Sequence, residues 1–107
     1  MKIKNIHFLG DSLEVLRGLA KETKREIGRQ LDYVQHGLMP DDWKPMSSIG
    51  AGVKEIRVRN QFGAYRSIYV AKKQSGVYVL HIFEKKSQKT PKKDLDLAKT
   101  RLKTIKS

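Results

Sequence analysis

The chain of 107 residues contains no cysteine. That excludes a disulfide framework and any thiolate-ligated metal. Its three histidines, His7, His36 and His81, stand apart from one another and from clustered carboxylates, which argues against a metal centre. No glycine-rich loop leads into Lys-Ser/Thr and no G-x-G-x-x-G occurs, so the common phosphate-cradling loops are missing. A G-x-S-x-G nucleophile turn is also missing. These absences leave no cofactor to expect. The apolar runs are far too short to span a bilayer. The start, MKIKNIHFLGD, lacks an apolar core and a small-residue cleavage site, so no signal peptide is expected and the cytoplasm is the expected location. Acids are scarce: 11 Asp and Glu stand against 23 Lys and Arg, a formal charge of +12. That balance favours RNA, DNA, a ribosome or an acidic protein as partner, and a merely lysine-rich surface is the plainer reading.

What is present reads as one domain over residues 1–107. Residues 2–8 alternate imperfectly and suit a short edge strand. Asp11-Ser12, with Glu14 in capping-box spacing, opens a helical segment. Leu13, Leu16, Ala20, Ile27, Leu31, Val34 and Leu38 follow helical spacing. The polar run Lys21-Glu22-Thr23-Lys24 splits it into a hairpin, with Thr23 and Glu26 as a second capping box and Gly37 as the stop. Residues 39–52 read as a loop, since Pro40, Pro45, Gly50 and Gly52 break regular structure. Within it, Trp43 either packs on the body or stacks on a base.

Three strands follow, at 53–59, 64–72 and 77–83. The first puts Lys54, Ile56 and Val58 on one face and Glu55, Arg57 and Arg59 on the other. The second puts Arg66, Ile68 and Val70 on one face. The third, VYVLHIF, is apolar on both faces, as a covered inner strand would be. Thr90 and Pro91 then read as the N-cap and first residue of a terminal helix. The order β-α-α-β-β-β-α, with short connections between the strands, predicts an α+β fold with an antiparallel-dominated sheet.

The candidate site is a basic constellation. Arg57 and Arg59 share a strand face, Arg66 lies across a tight hairpin, and Lys85, Lys86 and Lys89 crowd the end of the last strand in EKKSQKTP. Guanidinium groups grip two phosphate oxygens at once, and fixed cations stabilise the charge that grows on a scissile phosphate. The competing reading pairs these arginines with Glu55, Glu84 or Asp41-Asp42. His81 is either a satisfied structural histidine or a general acid/base.

Three stretches carry a resemblance: GLMPDDWKPMSSIGAGVKEIRVR, GAYRSIYVAK and VYVLHIFEKKSQKTPKKDLDLAKTR. With them the chain resembles the RelE/HigB superfamily of type II toxins, in particular the phage-derived HigB-like branch. The resemblance implies a RelE-like, microbial-RNase-type fold with an N-terminal helical hairpin and a C-terminal helix. It implies a ribosome-dependent mRNA endonuclease, or mRNA interferase, that cuts in the ribosomal A site by 2′-OH attack without a metal. It implies a cognate antitoxin, usually a helix-turn-helix DNA-binding protein, and no membrane partner. By position, the family's functional residues fall on Arg57, Arg66 and Lys86. His81 joins these as catalytic candidate, and Lys54, Arg59, Lys85, Gln88, Lys89 and Lys92 are the expected RNA contacts. Some members carry a tyrosine or histidine near the C-terminus as acid or base, and this chain has neither after His81. Either lysines and arginines move the protons, or the chain is a non-catalytic RNA- or ribosome-binding relative. A DNA-binding regulator fits less well, because the helical hairpin lacks a basic recognition helix with its own clear turn, although Lys21, Lys24, Arg25 and Arg29 lie in it.

Overall fold

The computed structural model describes residues 3–105. In chain order the elements are β1 (Ile6–Phe8), α1 (Ser12–Gly18), α2 (Lys21–Gln35), β2 (Trp43–Pro45), β3 (Val53–Asn60), β4 (Gly63–Lys72), β5 (Gly76–Glu84) and α3 (Lys92–Leu102). The strands form one five-stranded sheet in the order β1-β5-β4-β3-β2. β1 runs parallel to β5, and the other neighbours are antiparallel. The expected α+β class holds, with a mixed sheet and three helices.

The segment 39–52 is not wholly loop. Trp43, Lys44 and Pro45 pair with Ile56, Glu55 and Lys54 of β3. Pro45 is compatible with this because it ends a short edge strand, where a missing N–H breaks no ladder.

Alternation along the strands gives the sheet two apolar faces. Ile56, Val58, Tyr65, Tyr69, Val77, Val79 and Ile82 meet Leu16, Ile27, Leu31 and Val34 of the helical hairpin. Val53, Ile68, Val70, Leu80 and Phe83 meet Met46, Ile49 and Ala98 on the side of α3. β5 feeds both faces through a bulge. Ile68 pairs with His81 and Tyr69 with Val79, so Leu80 is the extra residue. The bulge shifts the alternation by one. Val77 and Val79 then share the hairpin face with Ile82, while Leu80 and Phe83 face α3. Arg101 of α3 secures the bulge: its Nη1 donates to the Leu80 carbonyl at 3.0 Å and its Nη2 to Asp11 Oδ1 at 2.9 Å.

Asp11 is the N-cap of α1 as expected, whereas the N-cap positions of α2 and α3 fall on Ala20 and Pro91 instead of Thr23 and Thr90. None carries a side-chain cap bond. Asp11 accepts from Arg101, buried Thr23 accepts from Asn60 Nδ2 at 2.9 Å, and Thr90 donates to Glu55 Oε2 at 3.0 Å. The capping residues tie the helix starts to other elements, a tertiary bond replacing the local one.

Two glycines separate by environment. A Cβ at Gly28, inside α2, would meet nothing within 4 Å. Gly28→Ala is expected to raise stability by about 0.5–1 kcal/mol, read as a higher urea midpoint. Gly76 has a φ of +116° and its missing Cβ would strike the Asn5 carbonyl. Gly76→Ala is expected to lower the same midpoint, because backbone cannot give way there as a side-chain tip can.

Candidate functional site

β3 and β4 bring the arginines together. Arg57 lies directly opposite Arg66, and Arg59 opposite Ala64. Like charges facing each other across a ladder are unfavourable. The third contribution comes from the end of β5: the Lys85 N–H donates to the Ala64 carbonyl at 2.8 Å. Because of the bulge at Leu80, Lys85 follows on the same face as Arg66. The result is an open cleft of ≈ 540 Å³ lined by Arg57, Arg59, Ala64, Arg66, Lys85, Lys86, Ser87 and Gln88. Five of these side chains are cationic and none is acidic.

The acid lies beneath. Glu55 is 0% exposed, Arg66 5% and Lys85 9%. Glu55 Oε1 faces Arg66 Nε at 3.4 Å and Lys44 Nζ at 3.9 Å, while Oε2 accepts from Thr90. Neither Oε1 nor Arg66 Nε makes a hydrogen bond, so attraction between the charges carries that contact. The guanidinium is held from its other side by Nη1, which donates to the Tyr65 carbonyl at 3.0 Å. One carboxylate thus ties down β3, its diagonal neighbour on β4, and the loop between β5 and α3. Arg57 meets the exposed Asp42 at 4.0 Å, a contact water weakens. Among the described residues, no acid lies within ion-pair distance of Arg59, Lys85 or Lys86.

Burial pulls the Lys85 ammonium below its ordinary 10.5; Arg66 adds to the fall and Glu55 opposes it. Burial likewise pulls the Arg66 guanidinium below its ordinary value, with Glu55 acting against it. A cationic cleft with a lysine of weakened basicity can hold a phosphate and can also exchange a proton with what it holds.

Of the ten residues singled out in the sequence, Arg57, Arg59, Arg66, Lys85, Lys86 and Gln88 line the cleft. Four do not. Lys54 is on the opposite face, its Nζ 5.7 Å from the centre of the half-buried Trp43 ring. Lys89 is exposed on the loop, and Lys92 is exposed at the start of α3. His81 is occupied elsewhere: Nε2 donates to Asp94 Oδ1 at 2.7 Å and the ring stacks on Phe83, which fastens β5 to α3. Pairing does not withdraw Arg66 from the cleft, since it meets Glu55 and still lines that space. Glu84 takes no arginine, and Asp41 is bonded to Gln30. Glu55 is the arginine partner that the pairing reading names; what sequence reasoning misses is its full burial, and the signal for it is a lone acid on a strand face otherwise given to arginines.

Two outcomes follow from these buried charges. Glu55→Ala strands the Arg66 charge and is expected to cost about 3–5 kcal/mol, read by urea denaturation. For Lys85, the folded chain binds fewer protons than the unfolded chain between the lowered value and 10.5. Stability from this group therefore rises with pH across that window, and is absent below it. Lys85→Met should remove that rise, measured as the wild-type minus variant midpoint at a series of pH values.

No curated protein matches the chain. Residues 14–103 match the family described as phage derived protein Gp49-like (DUF891), a span that includes every residue of the cleft. The chain therefore belongs to the Gp49-like phage-derived family, a toxin-like family of the general RelE/HigB type.

Proposed function

We propose that the chain is the toxin of a type II toxin–antitoxin pair, with a RelE-like fold, and that it cleaves mRNA in the ribosomal A site. The observation that carries this reading is the cleft, where Arg57, Arg59, Arg66, Lys85 and Lys86 converge with no acid among the lining residues. Arg57 and Arg66 grip the non-bridging oxygens of the scissile phosphate. The ribose 2′-oxygen attacks the adjacent phosphorus and the bond to the 5′-oxygen breaks. The products are a 2′,3′-cyclic phosphate and a free 5′-hydroxyl. Lys85, in its neutral form, accepts the 2′-OH proton, and the Lys86 ammonium protonates the leaving oxygen. The arginines stabilise the charge that accumulates on the phosphate between those two transfers, and no metal is required for this role. His81 enters this scheme only by holding α3 on the sheet. The partners are mRNA on the ribosome and a cognate antitoxin, a helix-turn-helix protein in this branch. The setting is cytoplasmic, and no helix among the described residues is long and apolar enough to cross a membrane.

One observation favours a second reading, a non-catalytic RNA- or ribosome-binding module. The cleft is lined by no histidine and no tyrosine. Proton transfer then rests on lysines alone, and binding would survive without them.

Inducible expression in a bacterium, with mRNA 5′ ends mapped minutes later, separates the two. New ends in register with codons, lost when translation of the message is blocked, are expected of the endonuclease. Normal growth with no new ends selects the binding module. Lys86→Ala and Arg57→Ala are expected to relieve growth arrest while leaving the circular-dichroism spectrum unchanged, because both side chains are exposed. Arg66→Ala is a poorer probe, since it strands Glu55.

A further inference from the structure

The β3–β4 hairpin ends in Asn60-Gln61-Phe62-Gly63, and Phe62 is 48% exposed. Among the described residues it is the only phenylalanine, tyrosine or tryptophan that is exposed. A single exposed apolar side chain is ordinarily unremarkable. Here the backbone beneath it is fastened. The Phe62 N–H donates to Asn60 Oδ1 at 2.9 Å, and its carbonyl accepts from the Tyr65 hydroxyl at 3.3 Å. Asn60 in turn donates to buried Thr23 of α2, and Gln61 Nε2 reaches Glu22 at 3.4 Å. A tip fixed from both sides could have been folded onto the body, yet it leaves a phenyl ring in water.

The location supplies a use. The hairpin rungs just below the tip are Asn60 with Gly63 and Arg59 with Ala64, and both members of the second rung line the cationic cleft. Only Gly63 lies between Phe62 and Ala64, and two residue steps span at most roughly 7 Å. The cleft itself is lined by no aromatic residue. Its side chains can grip a phosphate but offer no phenyl or indole surface for a base. Single-stranded nucleic acid is commonly held by a basic groove together with an aromatic face on which a base stacks.

We propose that Phe62 is the stacking platform for an unpaired base next to the phosphate held in the cleft. This rests on the reading of that cleft as an RNA site. It makes the preferred ligand single-stranded RNA with a base splayed from its neighbours. Because every base has a π-face, the contact adds affinity with little sequence preference. Fastening the tip beforehand lowers the ordering cost on binding.

The test compares two fluorescent probes of equal length, a single-stranded RNA and an abasic ribose-phosphate strand, titrated with wild type, Phe62→Ala and Phe62→Trp. The expected result is a loss of roughly 5- to 100-fold for Phe62→Ala on RNA, no change on the abasic strand, and recovery with Phe62→Trp. Equal loss on both probes, or no loss on RNA, overturns the stacking role and leaves the phosphate cleft standing. Failure of the wild type to bind either probe at low salt overturns the cleft reading and the stacking role with it.

Discussion

The attraction between Glu55 and Arg66 is the contact on which the site depends. Both groups are taken almost wholly out of water, 0% and 5% exposed, inside a cluster of like charges. Left alone, Arg57, Arg66 and Lys85 would repel one another and work against the alignment that the ladder and the apolar faces favour. A single buried carboxylate lets that alignment persist. It is reached from β2 by Lys44, from β4 by Arg66, and from the loop before α3 by Thr90. Buried pairs of this kind seldom add much net stability over an apolar replacement. Their effect here is to fix where the positive charge sits, which is what a phosphate would sense.

Much of the scaffold was legible in the chain because its signals are local. β3, β4 and β5 announce themselves by alternation and by the turns between them. The two faces assigned to Glu55, Arg57, Arg66 and Ile68 follow from a period of two. The helical hairpin follows from its apolar spacing, and Gly37, with a φ of +81°, ends α2 where expected. The part that was not legible depends on partners remote in sequence. Asp11, Thr23 and Thr90 look like caps to a local reading, and each is claimed by another element. β2 is hidden by Pro45 because a three-residue edge strand has almost no pattern of its own. The parallel pairing of β1 with β5 joins residues some seventy positions apart and leaves no trace in either segment.

The site divides in the same way. The arginines and lysines could be gathered from strand faces and a hairpin. Lys54 could be placed on the other face by the same rule, though charge alone groups it with the rest. His81 was ambiguous because an apolar strand with one histidine says nothing of what meets it. The answer, Asp94, is on α3 and thirteen residues later. What charge counting could not supply was depth: that Arg66 and Lys85 are buried while Lys86 is not. Depth is what makes two lysines in succession chemically unlike.

The bulge at Leu80 has a consequence for how this chain can vary in length. Core and cleft are counted from the same strand, and the extra residue sets the parity between them. Removing one residue between Val79 and Phe83 would turn Lys85 toward the helical hairpin and bring its acidic neighbour Glu84 to the face that carries the cleft. Adding one would do the same. The exposed turn at Lys73-Gln74-Ser75, outside that interval, carries no such constraint on parity. Insertions and deletions among relatives should therefore collect in the turn and avoid the five residues from Val79 to Phe83, whatever the side chains there. Arg101, which holds the Leu80 carbonyl, would be the distant residue expected to change together with the loss of that extra position.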